Sequence, residues 1–86
     1  MRTINREQFD ALSNLANCVS AKAYLDEKQY RRGSANESIQ KAIAQCDSLR
    51  IPFAVQMAAI NCGRDWRTYK GNKLESLLGK EFVVTQ

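Results

Sequence analysis

The sequence predicts an all-α protein, built as a compact bundle of three main helices plus a short C-terminal helix and an extended tail. Three observations support this fold class. In two long segments, apolar residues recur at three- and four-residue steps, which is the period of one helix face. A third segment is apolar nearly all round, as a buried helix would be. The four glycines stand singly at the predicted helix ends.

The first helix is predicted to begin after Asn5. Asn5 and Gln8 have the spacing of a capping box, and Ile4 and Phe9 have the spacing of a hydrophobic staple. The apolar stripe that follows consists of Phe9, Leu12, Leu15, Ala16, Val19 and Ala23. The segment "RRGS" is expected to end the helix, because Gly33 suits the C′ position.

The second and third helices follow directly. Ser34 and Glu37 predict another capping box. The stripe of the second helix consists of Ile39, Ala42, Ile43, Cys46 and Leu49. Pro52 interrupts the helix and is predicted to be the first residue of the third one, which Gly63 would end as its C′ residue. Since the third helix lacks a polar face, it is predicted to be the buried, central helix.

A short fourth helix is predicted from Asn72 to Leu78, with Glu75 in its first turn and Gly79 at its end. The tail "KEFVVTQ" has the composition of a strand. A lone strand would have no partner in a helical bundle, so the tail is expected to lie extended over the helices. Residues 1–86 are therefore predicted to form a single helical domain.

Charge and hydropathy limit the environment of the protein. The formal net charge of +4 is compatible with a nucleic acid partner, an acidic protein surface or simple solubility. No apolar run approaches the roughly 18 residues that span a bilayer. The polar N-terminal residues do not resemble a secretory signal. We expect a cytoplasmic protein that makes no membrane contact.

The inventory of side chains argues against an enzyme. The chain has no histidine, so a cysteine nucleophile would lack its usual partner, and there is no Gly-rich phosphate loop. Cys18, Cys46 and Cys62 are widely spaced, and we interpret them as buried thiols rather than a disulfide framework or a zinc site. The prediction is a non-catalytic protein that holds no metal and no cofactor.

The second and third helices are rejected as a helix-turn-helix on the grounds of residue type, which leaves the short helix from Asn72 to Leu78 as a weak candidate DNA reader. The second and third helices have the right size for the motif. The third helix, however, would present Phe53, Val55 and Met57 to the DNA, where polar side chains are needed.

The main candidate site is the stretch "NCGRDWRTYKGNK", residues 61–73. Its predicted partner-binding residues are Arg64, Trp66, Arg67, Tyr69, Lys70 and Lys73. If the stretch is helical, the two rings share one face and the cations flank it. Such a surface is typical of sites for a nucleic-acid backbone or an acidic protein groove. The alternative is that the rings close one end of the core and the cations are only solvated.

A second basic patch is formed by Lys28, Tyr30, Arg31 and Arg32. Cations near a helix C-terminus are favourable without any partner, so the patch does not by itself indicate a binding site.

A second contact face is predicted on the first helix, at Asn14, Asn17 and Tyr24. No charged residue occurs between Ala11 and Ala21. Small uncharged polar groups are easily desolvated and permit close approach of another helix, which indicates a protein contact or a homodimer face. The alternative is an internal face that packs against the C-terminal tail.

Together these features predict a small non-catalytic binding protein, an adaptor or inhibitor, that modulates a host macromolecule such as a nucleic-acid-handling complex. Phages and plasmids encode short proteins of this type. The alternative function is a small basic regulator that binds DNA or RNA directly, and a third is a structural subunit of a larger assembly. A protein partner and a monomeric or homodimeric state are expected.

Overall fold

Three helices and two short strands make up the part of the chain that the computed structural model describes, residues 2–31, 33–67 and 82–85. In chain order the elements are β1 (Arg2–Asn5), α1 (Arg6–Glu27), α2 (Ala35–Ser48), α3 (Phe53–Arg64) and β2 (Phe82–Thr85). The chain is compact and mostly helical, as predicted. The predicted fourth helix, residues 72–78, lies outside the described residues.

The start of α1 follows the prediction. The side-chain oxygen of Asn5 accepts from the backbone N–H of Gln8 over 2.7 Å, and Gln8 accepts in return from the backbone N–H of Asn5 over 3.1 Å. Ile4 and Phe9, the two residues with staple spacing, are both buried. The Gln8 amide also donates to the carbonyl oxygen of Leu49 over 3.1 Å, which ties the start of α1 to the end of α2.

The end of α1 corrects the prediction, because the helix stops at Glu27 and not at Gly33. Gln29 takes the C′ position with a φ of 59°, in the left-handed region. The Tyr30 N–H then donates to the Leu25 carbonyl oxygen over 2.9 Å, the bond that defines a Schellman motif. A glutamine in this conformation leaves no signature in the sequence.

The second helix ends in the same way, with Arg50 at a φ of 59° and the Ile51 N–H donating to the Cys46 carbonyl oxygen over 3.1 Å. Its start differs from the prediction. Ser34 is the N-cap residue, but its side chain makes no capping hydrogen bond. Its ψ of 16° departs from the extended conformation that such capping requires, so the predicted box with Glu37 does not form.

Both predicted boundaries of the third helix are shifted. Pro52 is the N-cap rather than the first helical residue, and Gly63 lies inside the last turn rather than at C′. A Cβ atom at Gly63 would overlap the carbonyl oxygen of Ala16 and lie 3.1 Å from the Cβ of Val19. The missing side chain of Gly63 therefore allows α3 to lie directly against α1.

The core is organised around α1, and the prediction that the third helix is central is wrong. α1 contacts α2, α3 and both strands, whereas α2 and α3 touch each other little. Phe53 is 74% exposed, and Ala54 and Ala58 are exposed on the same helix. The buried residues of α3 are Val55, Gln56, Ala59, Cys62 and Gly63.

A buried amide fastens α3 to the end of α2. The side-chain nitrogen of Gln56 donates to the Asp47 carboxylate over 2.8 Å and to the Ile51 carbonyl oxygen over 2.9 Å. These bonds satisfy a polar group that is only 2% exposed. The two helices are therefore held together at this connection.

The two strands correct the expectation for the tail. Phe82–Thr85 is extended, as predicted, but it has a partner. It pairs in parallel with Arg2–Asn5, and the register runs from Arg2 opposite Phe82 to Asn5 opposite Thr85. A parallel pair requires a long crossover connection, which the helices between the strands supply.

Candidate functional site

Three aromatic side chains meet beside the C-terminal end of α1. The ring of Trp66 packs edge-on against Tyr24, with 4.8 Å between the ring centroids and an interplanar angle of 89°. Tyr24 also contacts Tyr30, with 6.2 Å between centroids. We call Tyr24, Tyr30 and Trp66 the aromatic cluster. Trp66 comes from the main candidate site, Tyr24 from the second contact face and Tyr30 from the second basic patch.

A single carboxylate, Glu27, joins Trp66 of this cluster to Arg67. The indole N–H of Trp66 donates to Glu27 Oε2, and the guanidinium of Arg67 forms an ion pair with Glu27 Oε1. Two cations also face the indole: Arg67 Cζ is 5.3 Å and Lys28 Nζ is 5.9 Å from the ring centroid. Both distances fall in the cation–π range.

The same contacts control the protonation of Glu27. Partial desolvation raises the pKa of this carboxyl group, but the hydrogen bonds from Trp66 and Arg67, together with the charges of Arg67 and Lys28, lower it more. The net result is a pKa below the ordinary value of 4.5. Glu27 is therefore ionised at neutral pH and keeps both hydrogen bonds.

The main predicted site is only partly assembled by the described residues. α3 ends at Arg64, and Trp66 and Arg67 lie in a turn, so the helical stretch on which a shared ring face depended does not extend to Trp66. Tyr69, Lys70 and Lys73 lie outside the described residues. Trp66 is half-buried against Tyr24 and does not belong to the buried core, in contrast to the alternative interpretation of the rings.

Arg64 lies apart from the aromatic cluster. Its guanidinium donates to the side-chain oxygen of Asn61 over 3.2 Å. It lines a cleft between the three helices, together with Val19 of α1 and Ile39 of α2. Successive helical residues are rotated by about 100°, so Val19 faces the opposite side of α1 from Tyr24. The predicted stretch is therefore divided between two surfaces.

The second contact face is accessible. Asn14 and Asn17 are exposed, and they lie on the same stripe of α1 as Tyr24, at helical spacing. The thiol of Cys18 lies 4.0 Å from the Asn14 side-chain oxygen. The alternative interpretation, an internal face against the tail, does not fit the exposure of the two asparagines.

Sequence reasoning missed Glu27, the residue that joins the two predicted regions. Its contacts with Trp66 and Arg67 span 39 and 40 positions, so no local spacing indicates them. Tyr30 was noted only within the second basic patch. Of the other members of that patch, Arg31 is exposed and Arg32 lies outside the described residues.

The cysteines are thiols in this structure. Cys46 and Cys62 are buried and Cys18 is half-buried. Burial, aided by the negative charge of Asp47, raises the pKa of the Cys46 thiol, which keeps it protonated and poorly nucleophilic. Within residues 2–31, 33–67 and 82–85, no three cysteine or carboxylate side chains come together to hold a metal ion.

The surface near Trp66 places aromatic rings beside two cations. Ring faces and edges can pack against apolar or planar groups, and guanidinium and ammonium groups can pair with carboxylates or phosphates.

None of the described helices has the length and apolar character to cross a membrane. Comparisons with protein-family models, curated proteins and solved structures found no match.

Proposed function

We propose that this protein is a small non-catalytic binding protein, an adaptor or inhibitor, that recognises an acidic surface of a partner protein. The recognition surface is the aromatic cluster with Lys28 and Arg67. The observation that carries this proposal is that two cations lie over the Trp66 ring, which itself rests on Tyr24. Tryptophan, tyrosine and arginine are the residue types that most often dominate binding energy at protein interfaces.

The Glu27 contacts favour this function further, because they order the side chains before a partner arrives. Immobilising a flexible side chain on binding costs about 0.5–1.5 kcal/mol. Trp66 and Arg67 are already held by Glu27 in the unbound protein. The surface can therefore bind with less loss of conformational entropy than an unordered set of the same residues.

The same contacts leave Lys28 as the cation of this surface that is not paired with Glu27. The guanidinium of Arg67 is paired with Glu27, so any added anion, carboxylate or phosphate, would compete with an existing carboxylate. A partner that packs against the rings and places its anion beside Lys28 does not need to break this pair.

Direct binding of single-stranded DNA or RNA is the second candidate function. It is favoured by the exposure of Tyr24 and Tyr30, which are 37% and 58% exposed beside Lys28. Surfaces on which bases stack usually carry exposed aromatic rings next to cations.

The test uses two pairs of matched variants. Trp66→Ala and Arg67→Glu alter the proposed surface. Phe53→Ala removes an exposed ring elsewhere, and Lys41→Glu reverses an exposed charge on α2. Each variant is immobilised with the wild type and exposed to lysate of the native host. Captured proteins are quantified by mass spectrometry, purified and titrated individually.

A true partner is expected to bind the wild type and both controls, and to lose at least tenfold in affinity with Trp66→Ala, since hot-spot truncations cost about 2 kcal/mol or more. A salt series then separates the two functions. Neutralising two phosphates of single-stranded DNA or RNA gives a log–log slope of about −1.4, and a ring-anchored protein contact gives a shallower one. A loss of affinity with Phe53→Ala as large as that with Trp66→Ala would contradict the proposed surface.

A further inference from the structure

A second site lies on the other side of α1. The helices α2 and α3 are joined at one end through Leu49–Pro52 and the Gln56 hydrogen bonds, and beyond this connection they touch each other little. The C-terminal half of α1 forms the floor between them. The result is a cleft of about 410 Å³ that opens to solvent. This volume is within the range of ligand pockets.

Apolar side chains form part of the lining of the cleft, beside the amides of Asn36 and Gln40. Val19 and Ala23 of α1, Ile39 of α2 and Ile60 of α3 line it. Ile39 and Ile60 pack against the core but are only half-buried, so part of each side chain remains accessible. Ala23 is small, which leaves room above the floor. Removing this apolar surface from water on binding would favour a complex.

The lining of the cleft carries one net positive charge, from Lys22, Asp26 and Arg64. Lys22 Nζ forms an ion pair with Asp26 Oδ2 at 2.9 Å, and Arg64 adds a second cation to the lining. The hydrogen bond of Arg64 to Asn61 is to a neutral amide, so it leaves the charge of the guanidinium in place. An apolar group that carries a carboxylate beside it matches this arrangement.

We propose that the cleft binds an aliphatic side chain of a partner protein, with an aspartate or glutamate one helical turn away that pairs with Arg64. Because the cleft is an open groove between helices, it accommodates a residue presented on an amphipathic helix. The site is separate from the aromatic cluster, since its lining residues Val19 and Asp26 lie about 140° and about 160° from Tyr24 around α1. The proposal for the cleft therefore does not depend on the function proposed above.

The test begins with minimal probes in place of the partner. N-acetylleucine carries both the aliphatic group and the carboxylate, and N-acetylleucinamide lacks only the charge. Each is titrated into isotope-labelled protein while backbone amide resonances are recorded. N-acetylleucine is expected to shift the resonances of Ala23, Ile39, Ile60 and Arg64, and to bind up to about fivefold more tightly than the amide, as an exposed ion pair allows.

Variants then assign each part of the site. Ala23→Leu should fill the cleft and abolish binding of both probes. Arg64→Gln, at an exposed position, should remove the preference for the acid and leave binding of the amide unchanged. Lys41→Gln, an exposed cation outside the cleft, and Trp66→Ala should change neither titration. Equal binding of acid and amide, together with equal binding of a helical peptide with Leu and Glu four positions apart and of its Glu→Gln form, would overturn the proposal, whether or not Ala23→Leu folds.

A final arm tests the kind of occupant. A helical peptide with Leu and Glu four positions apart should bind at least tenfold more tightly than N-acetylleucine, because neighbouring residues of the helix also contact α2 and α3. If the free acid binds as tightly as the peptide, the cleft is a site for a small carboxylate and its assignment to a partner protein is wrong.

Discussion

Gly63 determines how closely α3 can approach α1. A glycine near the end of a helix suits both a C′ position and a close backbone approach, and the sequence alone favoured the first interpretation. In the structure Gly63 is buried inside α3 and faces the backbone of Ala16. Gly33, in contrast, has a φ of +57° and open space around it, so it is needed for its backbone conformation.

We predict that Gly63→Ala destabilises the protein by about 1–3 kcal/mol, because overpacking against a carbonyl oxygen outweighs the gain in helix propensity. Gly33→Ala should cost about 1 kcal/mol, the usual penalty of a left-handed conformation. Urea unfolding followed by circular dichroism compares the two. A smaller loss for Gly63→Ala than for Gly33→Ala would show that the two helices do not pack this closely.

Glu27 makes the aromatic cluster sensitive to acid. Because its pKa in the folded protein is lowered from 4.5, its contribution to stability is fully present above that value. The contribution is lost as the pH falls through the folded-state pKa. Protonation weakens the carboxylate's bonds to Trp66 and Arg67.

Trp66 is the single tryptophan of the chain, so its fluorescence reports on this contact. We predict a change in emission as the pH falls below the ordinary carboxyl range, while circular dichroism shows that the helices persist. Glu27→Gln should lack this transition, and Glu37→Gln, an exposed carboxylate on α2, should retain it. Identical titrations for the wild type and Glu27→Gln would contradict the assignment.

The third helix shows how an apolar composition can mislead at the level of an element. It was predicted to be central because it has almost no polar face. In the structure it buries one side against α1 and leaves Phe53, Ala54 and Ala58 exposed. Alanine is compatible with either environment, so the burial of this helix was decided by tertiary packing and not by its own pattern.

One pair of substitutions tests which side of α3 is buried. Ala59 is fully buried and Ala58 is exposed. Ala59→Asp would bury an unpaired carboxylate at a cost of several kcal/mol, comparable with the stability of a small domain. Ala58→Asp should cost less than about 1 kcal/mol, mainly through helix propensity. Thermal unfolding distinguishes the two, and equal losses would place α3 at the centre after all.

Local sequence patterns predicted which helices form better than they predicted where the helices end and which residues contact each other across the fold. The capping box of Asn5 and Gln8 and the stripe through Leu12 and Leu15 involve neighbouring turns, and both appear as predicted. The left-handed caps at Gln29 and Arg50 have no composition signal. The Glu27 contacts depend on residues some forty positions apart, so the sequence suggested rings and cations but not the carboxylate that orders them.

At the scale of the molecule, α1 contacts every other described element. Its stripe of buried side chains carries α2 and α3, and its N-cap residue Asn5 is also the last residue of β1. The aromatic cluster and the cleft lie on opposite sides of its C-terminal half. A partner that used both surfaces would have to reach around this helix, so we expect two separate contacts and not one continuous interface.

The parallel pairing of β1 and β2 affects how the protein responds to mechanical force. Arg2 lies opposite Phe82 and Asn5 opposite Thr85. The start of β1 and the end of β2 therefore lie at opposite ends of the ladder. Tension applied before Arg2 and after Thr85 would slide one strand along the other and load the hydrogen bonds of the ladder together. An antiparallel pair pulled at one end would open bond by bond. The hydrogen bonds between β1 and β2 must therefore break in shear before tension reaches the helices.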